Sequence, residues 1–400
     1  MKKALSIMFA LLLLFLLPAC GGDEEEDDWG NDGDGGNSGN NEENGGWESQ
    51  EGQEGKILKF EDDLSKSFLQ QIVMGLDDEI YVAGFTYDNL YAERSGKNDP
   101  FLLAIDPKGK KLWGKQWGVP VINSSNNDVS GLSIDSDGNI YVSIYGNPSI
   151  TKFSPDGTKV WEIFPDLLNG NLSRLTFDKH NNFFIGVYNH YNDGISDIIK
   201  YSAQGKVLQS YNISGNSSNP TGGETHISAL AVDSEDNIYA GGSTYNSLFA
   251  ENAGIIDAFL VKLAPDGTQF WGKQWGTKGE DSVRSILLDN HNNIFVTSGL
   301  NTTSNNAKDR ATLNLKFSPN GDKILETNYS CNKATMCNDN IYCINNNQIY
   351  KYNSNGEYLG NLIACEADSL KTIVCDNKEN VYVSTGRSTK IIKFSPSDFK

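Results

Sequence analysis

Residues 101–118 read FLLAIDPKGKKLWGKQWG and residues 259–276 read FLVKLAPDGTQFWGKQWG, so the hexapeptide WGKQWG begins at Trp113 and again at Trp271. Two copies of a short string can be a chemical motif used twice or the most visible part of a repeated structural unit. Looser copies decide between these readings. The same frame returns as ITKFSPDGTKVWEIF from Ile150, IIKYSAQGKVLQSY from Ile198 and LNLKFSPNGDKILETN from Leu313, then in degenerate form as IYKYNSNGEYLGNL from Ile349. Each copy is an alternating apolar run, a turn of Pro, Asp or Asn closed by Gly, and a second run, which is the pattern of a β-hairpin.

A second frame precedes each hairpin. It reads GLSIDSDGNIYVS from Gly131, ALAVDSEDNIYAG from Ala229 and SILLDNHNNIFVT from Ser285, with weaker copies in LTFDKHNNFFIG, TMCNDNIYCI, TIVCDNKENVYVS and IVMGLDDEIYVAG. Its central aromatic marks seven copies, at Tyr81, Tyr141, Phe184, Tyr239, Phe295, Tyr342 and Tyr382. Each unit thus holds four short strands in two hairpins and recurs every 40 to 60 residues, which predicts an all-β, seven-bladed β-propeller of four-stranded antiparallel blades. A lone hairpin cannot bury both faces, so the blades must stack on one another. Trp113, Trp271 and Trp161 follow their turn glycines by the same spacing, Leu325 takes that place in another unit, and Leu208, Leu359 and Leu58 fall one residue sooner. A site that accepts Trp or Leu reads as packing between blades. The last unit ends at KIIKFSPSDFK without a fourth strand, whereas residues 55–60, GKILKF, match GKVL from Gly205. The N-terminal strand is therefore expected to complete the last blade and leave no unpaired edge.

The elements D-A-F-L-V-K-L, P-D-G-T and F-W-G-K-Q-W-G of residues 257–276 resemble a bacterial seven-bladed propeller repeat family of the SBBP type. The stretch GLSIDSDGNIYVSIYGNPSITKFSPDG resembles NHL repeats. These resemblances span nearly all of residues 56–400 and imply the same propeller fold.

The chain opens MKKALSIMFALLLLFLLPAC, with Lys2 and Lys3 ahead of an apolar run from Ala4 to Leu17. That is the pattern of a secretory signal, and the run is short for a membrane-spanning helix, which needs about 20 apolar residues. Leu17-Pro18-Ala19-Cys20 resembles the lipobox of bacterial lipoproteins, which implies a signal peptide over 1–19 and a lipidated Cys20. Residues 20–55 read as a solvated tether: positions 21–55 hold 13 Asp or Glu, 11 Gly and no Lys or Arg, too little apolar surface to offset the entropy of ordering. The acidic run from Asp23 to Asp28 resembles surface-export signals of some bacterial lipoproteins and equally suits a plain spacer. Of the net charge of −19, the signal carries +2, the tether −13 and residues 56–400 −8. With no basic stripe, nucleic acid is excluded as a partner.

Alternate connections of an antiparallel blade lie on opposite faces. One face should carry tight turns such as Asp137-Gly138 and Asp156-Gly157. The other carries the long insertions TYDNLYAERSGKNDP from Thr86, TYNSLFAENAGIID from Thr244 and NTTSNNAKDRATLN from Asn301, and variable loops on a rigid scaffold are where binding concentrates. On that loop-rich face the candidate ligand contacts are Tyr87, Tyr91, Tyr188, His190, Tyr191, His226, Tyr245 and Phe249, aromatics being favoured anchors of binding surfaces. His180 and His291 occupy turns. No nucleophile or carboxylate stands beside His190 or His226 in a recognisable motif, so no catalytic residue is assigned. Asp135-Ser136-Asp137-Gly138-Asn139 hints at a calcium loop, but position twelve is Gly146, not Glu. An Asx-stabilised turn explains it, and neither metal nor cofactor is expected. Cys331, Cys337, Cys343, Cys365 and Cys375 are an odd set in an exported chain, without zinc-site spacing; buried strand filling is the default reading and any pairing stays open. The expectation is a monomeric protein of the bacterial envelope, held by lipid at the outer membrane, that binds a protein or glycan on its loop-rich face. A propeller lyase or hydrolase, or a periplasm-facing assembly factor, is the alternative.

Overall fold

A computed structural model of the chain describes residues 46–49, 55–60, 62–119, 127–146, 148–165, 171–173, 175–188, 196–213, 225–301, 310–327, 329, 331–363, 369–385 and 389–399. The signal peptide, Cys20 and most of the tether lie outside the described residues, as do His190, Tyr191 and Cys365. The compact unit spans residues 43–400.

Two strands, β1 (Gly46–Ser49) and β2 (Lys56–Lys59), precede the first complete blade. Blade one is β3 (Ser67–Met74), β4 (Ile80–Thr86), β5 (Asp99–Ile105) and β6 (Lys111–Gln116). Blade two is β7 (Asp128–Ile134), β8 (Ile140–Tyr145), β9 (Ser149–Phe153) and β10 (Lys159–Ile163). In blade three the innermost place is shared by β11 (Asn171–Leu172) and β12 (Thr176–Phe177), followed by β13 (Phe183–Tyr188), β14 (Ser196–Tyr201) and β15 (Val207–Asn212). Blade four is β16 (Thr225–Val232), β17 (Ile238–Thr244), β18 (Asp257–Leu263) and β19 (Gln269–Trp275). Blade five is β20 (Glu280–Leu288), β21 (Ile294–Asn301), β22 (Arg310–Phe317) and β23 (Lys323–Thr327). Blade six is β24 (Lys333–Cys337), β25 (Asn340–Asn345), β26 (Gln348–Tyr352) and β27 (Tyr358–Ile363), and blade seven begins with β28 (Leu370–Cys375), β29 (Val381–Thr385) and β30 (Ile391–Phe394). All seven sheets are antiparallel and wound in sequence order. The middle strands β4, β5 and β18 are buried at every residue because each is covered on both faces by neighbouring blades.

The ring closes through the N-terminus as expected. Lys56 and Ile57 of β2 pair with Lys393 and Ile392 of β30, and β28 packs beside β3. The structure adds a strand inside the segment read as tether. Gly46–Ser49 pairs with β2 as a fifth, outermost strand, and Trp47 donates its indole N–H to the Pro107 carbonyl of blade one at 3.2 Å.

That contact belongs to a series. Trp113 donates to the Pro155 carbonyl at 3.0 Å, Trp161 to Ala203 at 3.2 Å and Trp271 to Pro319 at 3.1 Å, each reaching the outer turn of the next blade. The interblade role read for these tryptophans therefore holds, and Leu58, 2% exposed, joins them. Leu208 and Leu359 do not: they are 50% and 47% exposed. A β-bulge in the outer hairpin is the reason. Lys200 pairs with Gln209 and Tyr201 with Val207, so Leu208 is the extra residue and points outward. In blade three the interblade bonds are made instead by Gln209, to the Asp266 carbonyl at 3.0 Å, and by the Tyr211 hydroxyl, to the Pro265 carbonyl at 2.9 Å.

The D-x-x-x-N turns repeat a second device. Oδ1 of Asp135 accepts the backbone N–H groups of Asp137 and Asn139, while its Oδ2 accepts the Asn139 amide, the Tyr141 hydroxyl and the Lys152 ammonium. The Asx-turn reading of that loop is thus the observed one. Lys200–Asp178, Lys262–Asp233 and Lys316–Asp289 repeat the ion pair at 2.9, 3.8 and 3.0 Å, all nearly buried. Lys152, Lys200 and Lys262 also lie 4.8 to 5.1 Å from the centre of the marker ring. Blade six lacks the turn aspartate, and its Lys351 reaches Glu379 of blade seven at 3.1 Å.

The cysteines depart from their default reading. Cys331 is bonded to Cys343 within blade six, and Cys337 on β24 to Cys375 on β28, with Cα atoms 5.2 and 6.3 Å apart. They pair because β24 and β25 are neighbours in one sheet and β24 and β28 are inner strands of adjacent blades, relations that sequence spacing does not display.

Candidate functional site: the loop-rich face and the axial channel

The repeated hexapeptide is a loop clamp. Gln116 accepts the N–H groups of Leu90 and Tyr91 at 2.8 and 3.0 Å and donates to the Asp88 carbonyl at 3.1 Å; Gln274 does the same for Leu248, Phe249 and Asn246 at 2.8, 3.1 and 2.9 Å. Asp99 and Asp257 finish the clamp by accepting the N–H of Ser95 and Ala253 at 2.9 and 3.0 Å. Gly114 and Gly272 leave room for the folded-back rings: an added Cβ would stand 2.4 Å from Tyr91 and 2.2 Å from Phe249.

Tyr91 and Phe249 therefore hold their own loops. Tyr91 donates to Asp62 at 2.8 Å, and burial together with that carboxylate raises its phenol well above the ordinary range. Tyr87 is half-buried, edge-on to Phe85 and Phe68 with ring centres 5.5 and 6.1 Å away. Of the candidates whose side chains are described, only Tyr245 stands open, at 42% exposure. Tyr188 ends β13.

His226 lies elsewhere, in the axial channel. This cavity of about 380 Å³ is walled by the inner strand of every blade: Gln71, Ser130, Ser173, His226 with Ser228, Arg284 with Ser285, Lys333, and Thr372. A bulge recurs there, since the registers of β3, β7, β16, β20 and β28 each skip one residue, at Gln70, Ser130, Ser228, Arg284 and Lys371. The extra residue breaks the alternation and re-aims polar side chains in a strand otherwise committed to packing. Ser228 donates to the Val283 carbonyl of the next blade, the Ser130 and Ser143 hydroxyls share a bond at 2.9 Å, and Gln70 binds the N–H of Val129 and, at 3.2 Å, the Asp128 carboxylate. Arg284 is bonded to Asn332 of blade six and covers Gly299. Sequence reasoning missed these residues, although a signal existed: each bulge residue stands five positions before the first residue of its D-x-x-x-N turn or its counterpart Gly75. Among the described residues, no cluster of His, Cys, Asp and Glu could hold a metal ion.

Fold and channel together define the class: a seven-bladed β-propeller with a polar axial channel. No protein-family model matches the chain, and no curated protein matches it in sequence. Solved structures match it in fold. Virginiamycin B lyase from Staphylococcus aureus, as a catalytically inactive histidine-to-alanine variant with quinupristin, superimposes with a TM-score of 0.57 and 12% identity over 84% of this chain and 97% of that one. The Pan2 WD40 domain of Neurospora crassa gives 0.55 and 10% over 81% and 88%, and the WD40 propeller domain of Doa1 gives 0.53 and 13% over 87% and 99%. These neighbours range from a lyase to WD40 domains, so what they share with this chain is the propeller frame.

Proposed function

We propose that this chain is a lipid-anchored binding protein of the bacterial envelope that takes its ligand at the axial channel and the loop-rich face around it. The observation that carries the reading is the channel lining, where seven strands converge hydroxyl, amide and cationic side chains on one concave space while the flanking loops are held rigid by the Gln116 and Gln274 clamps. Tyr245 is the exposed aromatic that this reading keeps on the rim. The likeness to SBBP-type and NHL repeats agrees with it, and Leu17-Pro18-Ala19-Cys20 supplies the anchor.

Two measurements test the reading. Cys20→Ser should move the protein out of the membrane fraction and abolish incorporation of labelled fatty acid; continued acylation would refute the anchor. Equilibrium binding of the full chain to envelope glycans and proteins, repeated with Ser228→Phe to fill the channel, should show loss of affinity with melting temperature kept. Undiminished binding by a folded Ser228→Phe variant would place the working surface elsewhere.

A further inference from the structure

We infer that the cavity at the seam between β2 and blade seven binds a small oxyanion, a phosphate or carboxylate group held by Lys56 and Lys393. This cavity, of about 460 Å³, is walled by Trp47, Lys56, Asn380, Lys393, Ser395 and Asp398, and it shares no lining residue with the axial channel. Lys393 belongs to the repeated lysine series: it stands opposite Tyr382 as Lys152 stands opposite Tyr141, Lys200 opposite Phe184 and Lys262 opposite Tyr239. Lys152, Lys200, Lys262, Lys316 and Lys351 each meet a carboxylate at 2.9 to 3.8 Å. Asp376 of blade seven holds the Asn380 amide and the Tyr382 hydroxyl as the other turn aspartates do, yet among the described residues neither Lys393 nor Lys56 is in an ion pair. The five paired lysines face neutral residues on the outer strand, namely Trp161, Gln209, Trp271, Leu325 and Gly360, whereas Lys393 faces Lys56.

Directly opposed residues of an antiparallel pair project to one face, so two ammonium groups stand on the same wall, and like charges so placed cost stability. Burial lowers the pKa of the half-buried Lys393, and the Lys56 and Lys378 ammoniums lower it further against the pull of Asp376. Lys378 is itself paired with Asp78 at 3.1 Å. An oxyanion between Lys56 and Lys393 would supply the counter-charge that a carboxylate supplies to the lysines of the other blades. The place for it follows from the closure of the ring. Lys56 stands opposite its lysine where Trp161 and Trp271 stand opposite theirs, and the indole that reaches the next blade comes instead from Trp47 on β1. The Trp47 and Tyr382 rings lie with their centres 5.7 and 5.1 Å from the Lys393 ammonium, and beside such apolar walls a charge pair is stronger than in open water. Asp398 is the one carboxylate among the described lining residues, and its Oδ2 accepts the Ser395 N–H at 2.7 Å. Two ammoniums against one carboxylate leave the wall positive, and a walled space of one sign concentrates counter-ions.

The probes are inorganic phosphate and acetate, each titrated calorimetrically into the full chain at one ionic strength set with sodium chloride. At least one of them is expected to bind, with Lys56→Gln and Lys393→Gln each weakening it by about tenfold and Asp398→Asn tightening it by about threefold, the opposite sign that removal of a repelling charge requires. Lys159→Gln and Lys206→Gln should leave affinity within about twofold. The bound anion should also raise the melting temperature of the parent and not that of Lys393→Gln. Binding of phosphate alone would mark a phosphate site, binding of acetate alone a carboxylate site and binding of both a general oxyanion site, and each supports the proposal. Should Lys393→Gln lose its folded melting transition, the exposed Lys56→Gln and Asp398→Asn carry the test. No binding of either anion at millimolar concentration, or unchanged binding by folded Lys56→Gln and Asp398→Asn, would overturn it. Ser228→Phe separates the two sites: it should leave phosphate and acetate binding unchanged, and an anion lost in Ser228→Phe but kept in Lys56→Gln would place the anion in the axial channel and overturn the seam site.

Discussion

At the residue scale, the second and fourth positions of WGKQWG show why one string recurs unchanged where other repeats drift. The glycine is required by a ring that lies where its Cβ would be, and the glutamine offers both an acceptor and a donor to one loop. Gly272→Ala should destabilise the fold by about 1–3 kcal/mol, because the Phe249 ring must leave its place. Combined with Phe249→Ala it should cost less than the sum of the two, which denaturant unfolding of the three variants can check. The turn aspartates make a second residue-scale prediction. Burial raises the pKa of Asp178 and Asp289, but the Asn182 and Asn293 amides, the lysines and the backbone N–H groups outweigh it and hold both below the ordinary value. A depressed carboxylate contributes stability that is present above the unfolded pKa of about 4 and is lost as pH falls through the lower folded value. Asp178→Asn should therefore lose about 1–3 kcal/mol at neutral pH and show a flatter decline of melting temperature in acid than the parent.

At the scale of elements, the last blade is built from both ends of the described chain. Deleting residues 1–54 removes β1 and the Trp47–Pro107 bond but keeps β2. The loss should be about 1–2 kcal/mol in a domain that remains folded. Deleting residues 1–62 also removes β2 and leaves the outer edge of β30 unpaired, so aggregation is expected in light scattering. Equal behaviour of the two deletions would contradict closure through β2. The bulges act at the same scale. In the outer hairpins they turn Leu208 and Leu359 outward, and in the inner strands they mark the positions from which Ser130, Ser228 and Arg284 line the channel.

At the scale of the whole molecule, the disulfide between β24 and β28 joins blade six to blade seven beside the closure. A sequence separation of 38 residues corresponds to about 3–4 kcal/mol if cross-linking acts mainly on the unfolded chain. Cys337→Ser with Cys375→Ser should lower the denaturant midpoint accordingly, and reductant should then lower it less than in the parent. An unchanged midpoint would mean that stacking alone secures the ring.

The chain's own periodicity determined the blade count, the four-strand unit, the closure by GKILKF and the structural nature of WGKQWG, because each is a local pattern of apolar alternation, turn residues and spacing. The candidate face was only partly legible. Tyr91 and Phe249 read as exposed anchors from loop composition, yet both fold back onto glycines of an outer strand. His226 read as a loop residue and lies in the channel. Interblade partners, the Cys337–Cys375 disulfide and the channel itself arise from residues 38 or more positions apart, brought together when seven sheets close a ring. Only the tertiary structure decided these, because alternation specifies which side of a strand is buried but not which distant strand buries it, and a single bulge reverses that assignment.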